Sequence, residues 1–202
     1  MFNADARQDE FVANMLSFKK NGYYLDIGSC HSSISNNTFY FDRLFWKGIC
    51  IELESIHNDS YNNRNNCIYL NQDATTIDYK ELLISNQFPD SIDYLSLDVD
   101  TLSLTILDKL PLSDFRFKVI TIEHDSYLYG DMYKKPQREI LERHGYVLIC
   151  SDVYVQQYGW NRPMCSFEDW WIDSKEFDDS LIQKIKSNEL YPSDIINKFK
   201  QN

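Results

Sequence analysis

Glycine is scarce in this chain, six residues in 202, and no two stand close together. That argues against the glycine-rich loop that lets a backbone crowd against a pyrophosphate. Basic residues are also short, 20 Lys and Arg against 31 Asp and Glu, for a net charge of −11. A nucleic-acid backbone or an anionic membrane attracts the opposite sign, so neither is expected as a main partner. No apolar run approaches the roughly 20 residues that cross a bilayer. The start, MFNADARQDEF, lacks the basic-then-apolar order of a secretion signal. The five cysteines, Cys30, Cys50, Cys67, Cys150 and Cys165, are odd in number and form no CxxC pair. Neither a zinc site nor a structural disulfide is expected from them, and a reducing cytoplasm is the implied compartment. Repeats and Gly/Ser- or Pro-rich linkers are missing too, so residues 1–202 read as one domain.

What is there is apolar and patterned. Hydrophobic residues make up 43% of the chain, enough for a buried core. Seven short runs read as strands: YYLDIG, KGICIELE, CIYLNQDA, IDYLSLDVD, FKVITIEHD, YVLICSDVYV and CSFEDWWID. Between them TFYFDRLF, YKELLISNQ, SLTILDKL and KPQREILERHG read as helices, the last closed by Gly145. An N-terminal helix falls within residues 1–20, over about Asp5 to Lys19. The tail, 175–202, reads as two short helices broken at Pro192, and the Asn-rich NDSYNNRNNCIYLN as a polar turn. Of Trp170 and Trp171, one is expected in the core. Apolar strands that alternate with helices specify an α/β three-layer sandwich around a mostly parallel sheet.

The polar residues fall at one edge of that sheet. Asp26, Glu52, Asp73, Asp98, Asp100, Glu123, His124 and Asp125 all sit at or just past strand C-termini, where open α/β sheets bind ligands. Any one of these acids can simply cap the next helix. As a series they describe a pocket. Glu52 follows the first glycine turn at the spacing that lets a carboxylate hold both hydroxyls of a ribose. Asp26, inside the turn LDIG, repels a pyrophosphate and suits a cation. Asp73 can accept from an adenine amine, and Ala74 leaves room for the ring. S-adenosylmethionine is cationic and carries no phosphate, so it fits an acid-rich, glycine-poor pocket better than a nicotinamide dinucleotide does.

The segments GYYLDIGSCHSSISNNT, WKGICIELES, IDYLSLDVDTLSLTIL, FKVITIEHD and QREILERHGYVLI, in this order, resemble the FkbM family of class I S-adenosylmethionine-dependent methyltransferases. The resemblance covers most of Arg7 to Asp173. It implies a Rossmann-like fold whose seven-stranded sheet has its last strand antiparallel. It also implies cofactor contacts at Asp26, Gly28, Asn37, Thr38, Glu52, Asp73 and Asp98, with Ser29 and Ala74 completing the expected set. Two places depart from the family pattern. His31 and Ser32 stand where the family often has an acid and a second glycine, and Thr101 follows Asp100 where a glycine is common.

Methyl transfer requires acceptor and methyl in near-attack geometry, and a hydroxyl acceptor is helped by a base or a metal. His124, Asp98 and Asp100 are the expected catalytic residues. Asp98, Glu123 and His124 are the set expected for a divalent cation, Mg²⁺ or Mn²⁺. Tyr127, Tyr129, Arg138 and Trp160 are expected to meet the acceptor, a small molecule or glycan. Tyr133, Lys134, Lys135 and Arg162 stand nearby, and loop packing is the plainer role for each aromatic. Two other classes compete: a nicotinamide-dependent oxidoreductase and a non-catalytic interaction module. No feature specifies an oligomer.

Overall fold

The computed structural model describes residues 1–155, 165–188 and 191–200. In chain order its elements are α1 (Gln8–Met15), β1 (Tyr23–Ile27), β2 (Lys47–Glu52), β3 (Cys67–Asn71), α2 (Tyr79–Ser85), β4 (Ser91–Leu97), α3 (Ser103–Lys109), β5 (Arg116–Glu123), α4 (Ser126–Tyr129), α5 (Asp131–Arg143), β6 (Tyr146–Val155), β7 (Cys165–Asp173), α6 (Asp179–Ile185), β8 (Ser187–Asn188) and α7 (Pro192–Lys200). The strands form one sheet in the order β3-β2-β1-β4-β5-β7-β6-β8. β7 runs antiparallel to both neighbours, and the other pairs are parallel. β1 lies between β2 and β4, where the strand order reverses. Such a switch point opens a crevice at the carboxyl edge.

Successive side chains leave opposite faces of a strand, and here both faces are covered. Tyr24, Tyr94, Val119 and Trp170 belong to one apolar cluster; Leu25, Leu95, Ile120 and Trp171 belong to the other. Trp170 and Trp171 are therefore both fully buried, where one was expected. Trp170 stacks on Phe11 of α1 with ring centroids 4.2 Å apart.

Several elements differ from expectation for local reasons. The N-terminal helix is only eight residues long, because Ser17 and Phe18 take left-handed backbone (φ 50° and 54°) just past its end. TFYFDRLF forms a 3-10 helix over Phe39–Leu44, closed by Phe45 at φ 59°. The Asn-rich stretch is not a plain turn but a 3-10 helix over Ser55–Asn63 leading into β3. Pro192 starts α7, where a missing N–H costs nothing. Among the described residues the sheet has eight strands rather than seven. β8, two residues long, pairs with Cys150 and Ser151 of β6. No described helix is long and apolar enough to cross a membrane.

Candidate active site

The first strand ends in a turn that only glycine can make. Gly28 has φ +83°, and a Cβ built on it would lie 1.8 Å from the backbone oxygen of Asp98. The N–H groups of Gly28 and Ser29 both donate to the Ile51 carbonyl (2.9 and 3.1 Å), which locks the turn against the end of β2. The next N–H, of Cys30, donates to Glu52 Oε2 (2.8 Å), and the N–H of Glu54 donates to Oε1 (2.7 Å). Two backbone donors thus fix the Glu52 carboxylate. Each oxygen keeps acceptor capacity for a ligand.

Gly28, Glu52, Asp73, Ala74, Asp98 and Asp100 line a cavity of about 270 Å³ at this edge, walled by Leu53, Leu102 and Ile106. Asp73 Oδ1 accepts from the N–H and hydroxyl of Thr75 (2.8 and 2.7 Å), which holds its carboxyl below the usual range. Asp26, Ser29, Asn37 and Thr38, also expected at the cofactor, do not line the cavity. They form a buried layer behind it. The Thr38 hydroxyl donates to Asp26 Oδ2 (2.7 Å), Asn37 Nδ2 donates to Ser96 Oγ (3.0 Å), and the Tyr61 hydroxyl donates to Ser29 Oγ (2.7 Å). Burial pushes the Asp26 carboxyl up to about 6, although Thr38 and Arg64 pull it down.

Beside the cavity, the ends of β4 and β5 bring acids together. Burial, and then its neighbour Asp98, pushes the Glu123 carboxyl far up, while burial lifts Asp98 to about 6. Glu123 Oε2 accepts the Asp100 N–H (2.8 Å). Asp100, Glu123 and Asp125 each place a carboxylate oxygen within 4.8 Å of the others, a spacing that an oxygen-seeking divalent cation can bridge.

His124 is not part of that group, so the expected Asp98–Glu123–His124 set does not assemble. Its side chain is fully buried on the far side of the strand end. Nδ1 accepts the Ser126 N–H (3.1 Å), and Nε2 lies 3.4 Å from Asp169 Oδ1, long for a hydrogen bond. An accepting Nδ1 places the proton of the neutral ring on Nε2. Both nitrogens face protein, and neither is offered to the cleft. Arg138, expected at the acceptor, is engaged in the same buried network. It binds both Asp169 oxygens (2.7 and 2.8 Å) and Asp152 (2.8 Å), and Lys134 binds Asp152 (2.8 Å). The arrangement braces α5 against β6 and β7. Tyr129 is exposed and meets Tyr133 edge-on at 5.3 Å, while Tyr127 packs on the core. Trp160 and Arg162 lie outside the described residues. His31 Nδ1 accepts the N–H groups of Ser33 and Ile34 (3.2 Å each), so it shapes its own loop.

Asp152, Asp169 and Arg64 carry much of this architecture and are not conspicuous in the sequence. For Arg64 one signal exists: it is the only Lys or Arg between Lys47 and Lys80.

The raised acids set an expected pH response. Asp26, Asp98 and Asp125 have folded values of about 6 against an unperturbed 3.8. The folded state therefore holds more protons between these values, and the stability they contribute is lost as pH rises through about 6. The urea midpoint is expected to fall between pH 4.5 and 7, with a smaller fall in Asp98→Asn. Asp152, held low by Lys134 and Arg138, and Asp169, held low by Arg138, both despite burial, act only below this window. A midpoint that climbs across the window would mean that the three carboxyls are not raised in the folded state.

No family model matches the chain, and no curated protein does. Solved structures do. A Klebsiella pneumoniae protein assigned as an O-methyltransferase superposes with TM-score 0.56 at 13% identity, covering 85% of this chain and 82% of that one. A TehB-like SAM-dependent methyltransferase from Corynebacterium glutamicum gives 0.51 at 12% identity, covering 85% and 88%. A precorrin-6y C5,15-methyltransferase from Geobacter metallireducens gives 0.50 at 14% identity, covering 81% and 86%. At these identities the likeness is one of fold: the chain has the Rossmann-like methyltransferase fold.

Proposed function

We propose that this chain is an S-adenosylmethionine-dependent methyltransferase, of the FkbM type its sequence resembles, acting on a hydroxyl of a sugar, glycan or related metabolite. The observation that carries the reading is the joined turn of Gly28 and Glu52: a backbone corner no side chain can enter, beside a carboxylate oriented by two N–H donors. The residues fit this cofactor. The cavity offers acids to a ribose and to cationic centres and has no phosphate cradle. When bound, the cofactor supplies a methyl group made electrophilic by its sulfonium.

In this reading Glu52 holds the ribose hydroxyls. Asp73 accepts from the adenine amine, and Ala74 and Ile106 flank the ring. The charge of Asp98 offsets the cationic end, and Asp26 supports it from behind. His124 Nε2 has no hydrogen-bond partner, but it is fully buried and turned toward Asp169, and His124 does not line the cavity. Asp125 takes the proton-transfer role: it stands with Asp100 and Glu123 beside the cavity, and burial raises its carboxyl to about 6, in the range of a general base.

Titration calorimetry with S-adenosylhomocysteine tests the reading. Wild type is expected to bind. Glu52→Ala is expected to weaken binding by at least about 10-fold, because hydrogen bonds to a charged group contribute ~1.5–3 kcal/mol each. A wild-type chain that takes up no S-adenosylhomocysteine sinks the proposal.

A further inference from the structure

Residues 29–38 join β1 to the following 3-10 helix without glycine and without regular structure of their own. Cys30 and Ser35 both hold left-handed backbone there (φ 47° and 52°). Such a segment needs external support: Glu52, Ser60, Tyr61 and Ser96 hold Cys30, Ser32, Ser29 and Asn37 one by one, and a single buried side chain reaches Ser32, Asn36 and Thr38 together. Arg64 is 6% exposed and binds Asp42 with two prongs, Nε to Oδ2 (3.0 Å) and Nη2 to Oδ1 (2.9 Å). Nη2 also donates to the Tyr24 hydroxyl (2.8 Å). Nη1 faces the Ser32 carbonyl, Asn36 Oδ1 and Thr38 Oγ1, each at 3.3 Å. Asn36 passes the restraint on: its Nδ2 donates to the Ser29 carbonyl (2.8 Å), and its Oδ1 accepts from the N–H of Phe39 (2.7 Å). Thr38 passes it to Asp26. Arg64 does not itself line the cavity.

We propose that Arg64 is the positioning residue of the cofactor turn. Its planar fork fixes residues 29–38 from behind and, through Thr38, fixes Asp26. Cofactor affinity then depends on a side chain that never touches the cofactor. The role rests on the cofactor reading above. A lysine keeps the charge but has no fork, so charge alone does not restore the geometry.

The test uses the full chain with Arg64→Lys, Asp42→Asn and a remote control, Ile195→Ala in α7. Binding of S-adenosylhomocysteine is measured by calorimetry, stability by urea, and backbone mobility by hydrogen exchange. Arg64→Lys is expected to lose about 10-fold or more in affinity, the loss of at least one charge-assisted hydrogen bond. Faster exchange is expected to concentrate in residues 29–38. The control, although destabilised, is expected to keep its affinity within about 2-fold, because distant sites act independently. Should Arg64→Lys fail to fold, Asp42→Asn decides, since it loosens the fork while leaving Arg64 in place: weaker binding supports the role and unchanged binding overturns it. Equal affinity in wild type and a folded Arg64→Lys overturns it likewise. A wild type that binds nothing overturns the cofactor reading and this role together.

Discussion

Gly28→Ala is expected to abolish binding of S-adenosylhomocysteine and to destabilise the fold by roughly 3 kcal/mol or more. Two costs combine. A left-handed backbone (φ +83°) strains any residue with a Cβ, by about 1–2 kcal/mol. The new methyl would also meet backbone, 1.8 Å from the Asp98 oxygen and 2.7 Å from its carbonyl carbon. A flexible side chain could swing aside, but here the end of β4 must move. β4 pairs with β1 from Tyr24 to Ile27, so a shift at Asp98 spreads into the centre of the sheet. It also displaces the acid that offsets the cofactor's charge. Urea unfolding and calorimetry check the two effects separately. A folded Gly28→Ala protein with wild-type affinity would show that the turn has slack and that its geometry does not define the site.

Asp169→Ala is expected to cost about 3–5 kcal/mol, the range for removing one partner of a buried ion pair. Asp169 is 1% exposed and accepts from Arg138 through both oxygens. Oδ1 also accepts the Asp152 N–H (2.8 Å) and faces the His124 ring. Burial works against its charge, yet these partners hold its carboxyl below the ordinary value. Alanine would leave Arg138 with Asp152 alone, and Asp152 already binds Lys134. Asp169→Asn keeps the shape and is expected to fall between wild type and alanine in urea unfolding. A loss of less than about 1 kcal/mol in the alanine variant, the scale of an exposed pair, would mean that Arg138 and Lys134 share Asp152 without penalty.

The strands β1, β2, β3, β4 and β5 were legible because each is a mainly apolar run with an acid at or just past its end. Five of the expected cavity residues, Gly28, Glu52, Asp73, Ala74 and Asp98, could be placed because each sits at a recognisable strand end or within three residues of one. His124 was misgrouped. β5 ends at Glu123, and just past it His124 turns toward Asp169 while Asp125 joins Glu123, a change of direction that no periodicity announces. Strand alternation explains why Trp170 and Trp171 are both buried. It sends them to opposite faces, and the sheet has no open face. Arg64 was hidden for a different reason. Its partners, Asp42, Asn36, Thr38 and Tyr24, are 22 to 40 residues away, and no periodicity links them. β8 was hidden by length, since two residues carry no pattern.

Those two residues have a consequence for the protein in crowded solution. Without β8, the long strand β6 would be the margin of the sheet, with unpaired amides ready to accept a strand from another molecule. β8 occupies the pairing positions at Cys150 and Ser151. The Lys198 ammonium of α7 binds the carbonyl oxygens of Ile185 and Lys186 beside it, fixing a positive charge where β8 begins. The tail thereby covers the middle of the β6 edge at Cys150 and Ser151.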